Sequence, residues 1–170
     1  MKYSKAQIRY HWISFAILVV MVLSGLAYSY DWIDTGSMGL HQVGGQIFIA
    51  ILAARIVARL VRPVLADEEN HSRFEALTAR LVHGGLYLCM IAYVVTGYVA
   101  ASGLRDPLLV APVNQGFARS DMGELFLEAH FAIKWVLLAL VTLHVAAVLK
   151  HRFWDKDSTI SHMALNFRKE

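Results

Sequence analysis

The sequence predicts an all-α integral membrane protein, a four-helix bundle with both termini cytoplasmic, and three observations carry that expectation. Hydrophobic residues make up 57% of the 170-residue chain, more than an ordinary soluble domain carries. Four apolar stretches reach the roughly twenty residues that a spanning helix needs, and Pro63, Pro107 and Pro112, all the prolines there are, fall between them. Lysine and arginine are abundant in alternate connections and sparse in the others.

The spans are expected at about 8–29, 40–61, 79–101 and 129–150, with a cytoplasmic tail at 151–170, all in one membrane domain of residues 1–170. The first apolar run is too long for a signal-peptide core and has no small-residue cleavage pattern after it, so it reads as a retained helix. The connection YDWIDTGSMG carries Asp31 and Asp34 but no Lys or Arg, which assigns it to the outside. The N-terminal end carries Lys2, Lys5 and Arg9, the second connection and its flanks carry Arg59, Arg62, Arg73 and Arg80, and the tail, from the last residue of the fourth span, carries Lys150, Arg152, Lys156, Arg168 and Lys169. These groups belong on the cytoplasmic side, and the loop 102–128, with only Arg105 and Arg119, belongs outside. No nucleic-acid partner is expected; the surroundings are membrane lipid.

Histidine placement gives the bundle two levels. His130 and His144 lie fourteen residues apart on the fourth span. At about 100° and 1.5 Å per residue, they share a face to within about 40° and are about 21 Å apart along the axis. His11 opens the first span at the inner surface and His41 opens the second at the outer surface. Two cross-membrane pairs follow: His41 with His130 outside, and His11 with His144 inside. Fourteen residues on from His11 is Gly25, from His41 is Arg55 and from His83 is Gly97, so the interval recurs on every span. Glycine at such a position lets a flat macrocycle approach the backbone, and Arg55 faces the inner level as a partner for a haem propionate.

An imidazole in hydrocarbon is costly unless something satisfies it. Two facing histidines from different helices form a bis-imidazole cage for a low-spin haem, an electron carrier with no axial position left for oxygen. The chain has no C-x-x-C-H, so such a haem is non-covalent, and Cys89 alone makes no cysteine-pair metal site. The rival reading, a non-enzymatic metal or proton conduit, calls for acidic groups in the membrane, and the central parts of the spans have none.

The other candidates have more than one reading. His83, at the inner end of the third span, suits a propionate or a quinone pocket, or is an interfacial neighbour of Arg80. His151, two turns past His144 and close to Trp154, suits a quinone carbonyl, or belongs to a basic and aromatic interfacial belt. Lys134, one turn inside His130, meets a propionate, attracts a small anionic substrate or snorkels to the interface. Trp12, Phe15, Tyr87, Tyr93 and Tyr98 read as packing residues, and His71 and His162 receive no role.

YSKAQIRYHW, LHQVGG, RLVHGGLY and LHVAAVLKHRFWDKDSTISHM together span nearly the whole chain and resemble the bacterial di-haem cytochrome b561 family. The last motif, two histidines seven residues apart before an aromatic pair and a Lys-Asp-x-Thr tail, is the most specific and looks like the single-domain members. The resemblance implies two haem b groups on four histidines, matching His11, His41, His130 and His144. It implies a superoxide oxidase of the bacterial inner membrane, in which periplasmic superoxide becomes oxygen and ubiquinone is reduced near the position of His151. Lys134, Arg105 and Arg119 would then draw the anion inward. A related role is a haem-bearing, quinone-reducing subunit of a partner dehydrogenase. His162 stands before Met163 where family tails often have arginine, and the loop 102–128 is the least recognisable segment.

Overall fold

The computed structural model describes residues 3–30, 32, 36–63, 73–105, 107–156 and 163. Its long helices are α1 (Lys5–Ser29), α2 (Gly36–Val61), α3 (Arg73–Ser102) and α5 (Asp121–Lys150); α4 (Gln115–Ala118) is a single turn, and one π-type turn (His151–Asp155) extends α5. No strand occurs among the described residues. Among the described residues, four helices are long and apolar enough to cross a membrane. Asp31, Asp34, His71, His162, Arg168 and Lys169 lie outside the described residues.

The long helices begin three, four, six and eight residues before the starts expected from apolar content, and end within one residue of the expected stops. The difference lies in their polar entry turns. Ser4 and Gln7 form a capping box, with Gln7 N–H donating to Ser4 Oγ (3.2 Å) and Ser4 N–H to Gln7 Oε1 (2.9 Å). Gln7 Nε2 also donates to the Ala58 and Arg62 carbonyls, satisfying acceptors that the end of α2 leaves over. Asp121 and Glu124 occupy the first turn of α5, where negative charge suits the helix dipole.

Two antiparallel hairpins make the bundle. α1 packs along α2 and α3 along α5, while the hairpins meet mainly where α2 touches α3. Between them lies a core of Leu18, Met21, Phe48, Leu52, Met90, Tyr93 and Leu137. Leu18, Phe48, Met90 and Leu137 stand seven residues after His11, His41, His83 and His130, halfway along each fourteen-residue interval. Phe48 is 0% and Leu137 2% exposed, so the middle of the bundle is closed by packing. Polar and charged groups of the two levels are thus separated by an apolar layer.

One end of the bundle is covered by the connection between α3 and α5. Gln42 Oε1 accepts from Leu108 N–H (2.8 Å), Gln46 Oε1 accepts from Val110 N–H (2.9 Å), and Tyr98 O–H donates to the Ala111 carbonyl (2.9 Å). Arg119 donates to the carbonyls of Gly103 (2.9 Å) and Leu104 (3.2 Å). At the opposite end, Trp12 Nε1–H donates to the Met163 carbonyl, which ties the tail to α1 (2.8 Å).

Candidate functional site: two histidine layers

His41 and His130 come together beneath the covering loop, one from each hairpin, with ring centres 6.2 Å apart and planes at 87°. His41 Nδ1 is 2.9 Å from the Met21 carbonyl, and His130 Nδ1 is 3.0 Å from the Tyr93 carbonyl. A carbonyl only accepts, so each Nδ1 carries the proton and each Nε2 keeps its lone pair. That is the arrangement of a metal-ligating imidazole whose other nitrogen is tied down. Ser24 Oγ is 3.4 Å from His41 Nδ1, and Thr96 Oγ1 is 3.3 Å from His130 Nδ1.

Both rings rest on glycine. A Cβ at Gly25 would stand 3.1 Å from His41 Cε1, and one at Gly97 would stand 2.7 Å from His130 Cε1. The glycines therefore make room for the imidazole of the neighbouring helix, a closer task than the macrocycle clearance expected of them. Met21, Ser24 and Gly25 on α1 recur as Tyr93, Thr96 and Gly97 on α3, each 72 positions later. The Tyr93 ring also stacks on His130, centres 3.9 Å apart and planes 8° from parallel. This layer opens on a cavity of about 690 Å³, in the range of small-molecule and cofactor sites, lined in part by His41, His130, Gly25, Gly97 and Lys134.

The second layer lies toward the chain termini. His11 and His144 have ring centres 6.3 Å apart, with planes at 65°. Arg55 reaches the same layer: its Nη2 is 3.0 Å from His11 Nδ1, and its Nε–H donates to Tyr87 Oη (3.2 Å). A guanidinium only donates, so here His11 Nδ1 is the acceptor, the reverse of the histidines under the loop. His83 joins the layer with its ring centre 5.2 Å from that of His144, and its side chain bonds the Ala79 backbone.

Two imidazole nitrogens on one metal, each about 2 Å from it, set ring centres roughly 6 Å apart. Both cross-hairpin pairs meet that spacing, and each joins helices of different hairpins. His83 and His144, by contrast, come from helices packed directly together, and their ring centres are closer, at 5.2 Å. Among the described residues no group of three or more His, Cys, Asp or Glu side chains could hold a bare metal ion. The residues present fit a macrocycle that brings its own equatorial ligands.

A model of the prokaryotic cytochrome b561 family matches residues 2–165. The chain belongs to the prokaryotic cytochrome b561 family. It is similar to cytochrome b561 homolog 2 of Escherichia coli (strain K12), 27% identical over 95% of this chain and 90% of that protein. Membership makes this a multi-pass bacterial membrane protein that binds haem b and transfers electrons.

The remaining candidates are distributed between the two ends. Lys134 lines the loop-side cavity, with Nζ 5.2 Å from the Phe131 ring centre and 5.0 Å from that of Trp135, a cation–π setting that makes a lysine at this depth tolerable. Arg105 is exposed on the covering loop, and Arg119 has a structural task within it. His151 lies in the π-type turn with Nδ1 3.0 Å from Asp155 Oδ2, and Trp154 is 87% exposed beside it. Sequence reasoning assigned no role to Ser24, Thr96 and Asp155. The first two carry a legible signal, a hydroxyl immediately before each glycine of the repeated interval.

Proposed function

We propose that the two layers hold two haem b groups, one between His41 and His130 on the periplasmic side and one between His11 and His144 on the cytoplasmic side. The observation that carries this reading is the pair of cross-hairpin distances, 6.2 and 6.3 Å, at two levels. Haem held by two imidazoles exchanges single electrons and offers no open axial position to oxygen. The chain's own residues orient the rings, separate the layers with the apolar core, and place charge at each end.

The outer imidazoles are fixed by backbone carbonyls and need little rearrangement. At the inner pair Arg55 exchanges His11 for an anionic partner, a propionate being the carboxylate that haem brings. His83, beside His144, supplies a further polar group to that pocket. Both termini lie in the cytoplasm of a cell whose inner membrane the protein spans, the orientation favoured by the positive-inside bias.

In this reading the donor is superoxide and the acceptor ubiquinone. Two superoxide anions give two dioxygen molecules and two electrons; ubiquinone takes the two electrons with two protons to become ubiquinol. Lys134 supplies positive charge in the lining of the outer cavity, and Arg105 and Arg119 on the covering loop add to the field, Arg119 while it holds the loop. Such steering raises encounter rates and weakens with salt. His151 and Trp154, at the inner surface near the end of α5, form the quinone side.

The test is a pulse of superoxide delivered to the purified, haem-quantified protein with ubiquinone present. The expected result is haem reduction by the pulse and reoxidation by quinone, slowed by salt and by Lys134→Ala. Haems that ignore superoxide would replace this donor with a partner dehydrogenase. A colourless protein that binds no supplied haem would contradict the haem reading.

A further inference from the structure

The cluster that closes α5 does more than end a helix. His151 to Asp155 form one π-type turn, and Lys156 ends it in the left-handed region at φ 54°. The wider turn brings residues four and five apart onto one side, and such turns are frequent at functional positions. Here it brings Asp155 Oδ2 to 3.0 Å from His151 Nδ1 and 2.7 Å from Lys150 Nζ. Lys150 Nζ in turn lies 3.1 Å from Glu75 Oε1 in the first turn of α3. The side chain of His151 is 16% exposed, so the pair is partly sheltered while Phe153 and Trp154 project outward.

A carboxylate only accepts, so the His151 proton facing Asp155 is on Nδ1 and the ring's other nitrogen is Nε2. A carboxylate on one imidazole nitrogen fixes the ring's rotation and tautomer and strengthens what the other nitrogen can do. Lys150 lies between Asp155 and Glu75 and joins the end of α5 to the start of α3.

We propose that Asp155 is a positioning residue for quinone reduction: its carboxylate holds His151 so that Nε2 meets a carbonyl oxygen of the quinone. This rests on the reading of His151 as the quinone contact. The two electrons and two protons of the reduction are those given above; Asp155 exchanges neither with the quinone and acts through the imidazole.

The test uses the full chain loaded with haem, reduced by dithionite and mixed with a short-chain ubiquinone, so it does not depend on the physiological donor. Reoxidation is followed by stopped flow, and quinone binding to the oxidised protein is measured by calorimetry. A lost charge-assisted hydrogen bond predicts about tenfold weaker quinone binding and about tenfold slower reoxidation for Asp155→Ala. Asp155→Asn, which still accepts from Nδ1–H, should be intermediate, and Asp155→Glu should restore most of the loss. Haem content and spectra should be unchanged throughout. Glu75→Gln, which loosens the link between α5 and α3 and leaves the His–Asp pair in place, should behave as the parent protein. If Glu75→Gln matches Asp155→Ala, the effect is structural and the proposal is overturned. If His151→Ala weakens quinone binding while Asp155→Ala does not, Asp155 has no positioning role and the quinone reading survives. If His151→Ala also binds quinone unchanged, that reading fails and the proposal with it.

Discussion

The two histidine layers are built by different means. Under the covering loop, His41 and His130 are related by the internal repeat and held alike: a helix carbonyl on Nδ1, a hydroxyl close by and a glycine beneath the ring. Toward the termini the repeat breaks. His83 is the counterpart of His11, and Arg55 the counterpart of His144, so this layer has three histidines and a guanidinium where the other has two histidines and two glycines. Backbone sets ring orientation in the first layer, and a charged side chain, Arg55, contributes in the second. In the proposed two-haem reading, the loop-side layer is therefore prepared for its ligand, whereas the layer toward the termini relies on the charge its ligand brings.

The largest expected effects remove one layer and spare the other. His41→Ala and His130→Ala should each cost the loop-side haem and keep its neighbour, while His11→Ala and His144→Ala should do the opposite; haem per chain falls from two to one in each. Four variants that all retained two haems would break the comparison at its root.

Next come the glycines, which matter only on the loop side. Gly97→Ala places a methyl 2.7 Å from His130 Cε1, closer than real Cβ contacts stand, and should displace the ring and empty that site. Gly25→Ala meets His41 Cε1 at 3.1 Å and should weaken retention without abolishing it. Both changes favour the helix itself by about 0.5–1 kcal/mol, so lost haem with an undiminished helical signal identifies a clash at the ring.

Arg55→Ala sharpens the contrast from the other end. Loss of a hydrogen bond to a charged group, about 1.5–3 kcal/mol, should weaken inner haem binding roughly tenfold to a hundredfold and leave the outer haem in place, as read by haem titration of the refolded protein. The smallest effect belongs to the hydroxyls. Ser24→Ala and Thr96→Val remove weak second contacts to Nδ1 worth about 0.5–1 kcal/mol, and should raise the outer potential by roughly 20–40 mV with the inner one unmoved. A shift confined to the inner haem would reverse the assignment of layers.

Much of this was legible in the sequence because it follows from helical period. Fourteen residues return a side chain to nearly the same face, so the intervals from His11, His41, His83 and His130 put the histidines, Arg55 and the two glycines at two levels, whereas Ser24 and Thr96 were missed. The stops of the helices were also legible, since apolar content falls at Ser29, Val61 and Lys150. Their starts were not, because the entry turns are polar and held by caps such as Ser4 with Gln7. The role of the glycines was visible only in part: sequence reasoning foresaw close approach at Gly25 and Gly97, but an approaching imidazole cannot be told from a macrocycle without the neighbouring helix. Asp155 was only half within reach: four residues after His151, it is an ordinary helical neighbour, but its contact with Lys150 five residues before it comes from the π-type turn.

The most direct test is low-temperature electron paramagnetic resonance of the oxidised protein, with spins integrated against chain concentration. Two bis-imidazole sites predict two low-spin ferric signals, each near one spin per chain, with no high-spin iron. A single low-spin signal, or a high-spin signal of comparable intensity, would mean that at least one of the pairs His41/His130 and His11/His144 does not coordinate iron, and the two-layer account would fall.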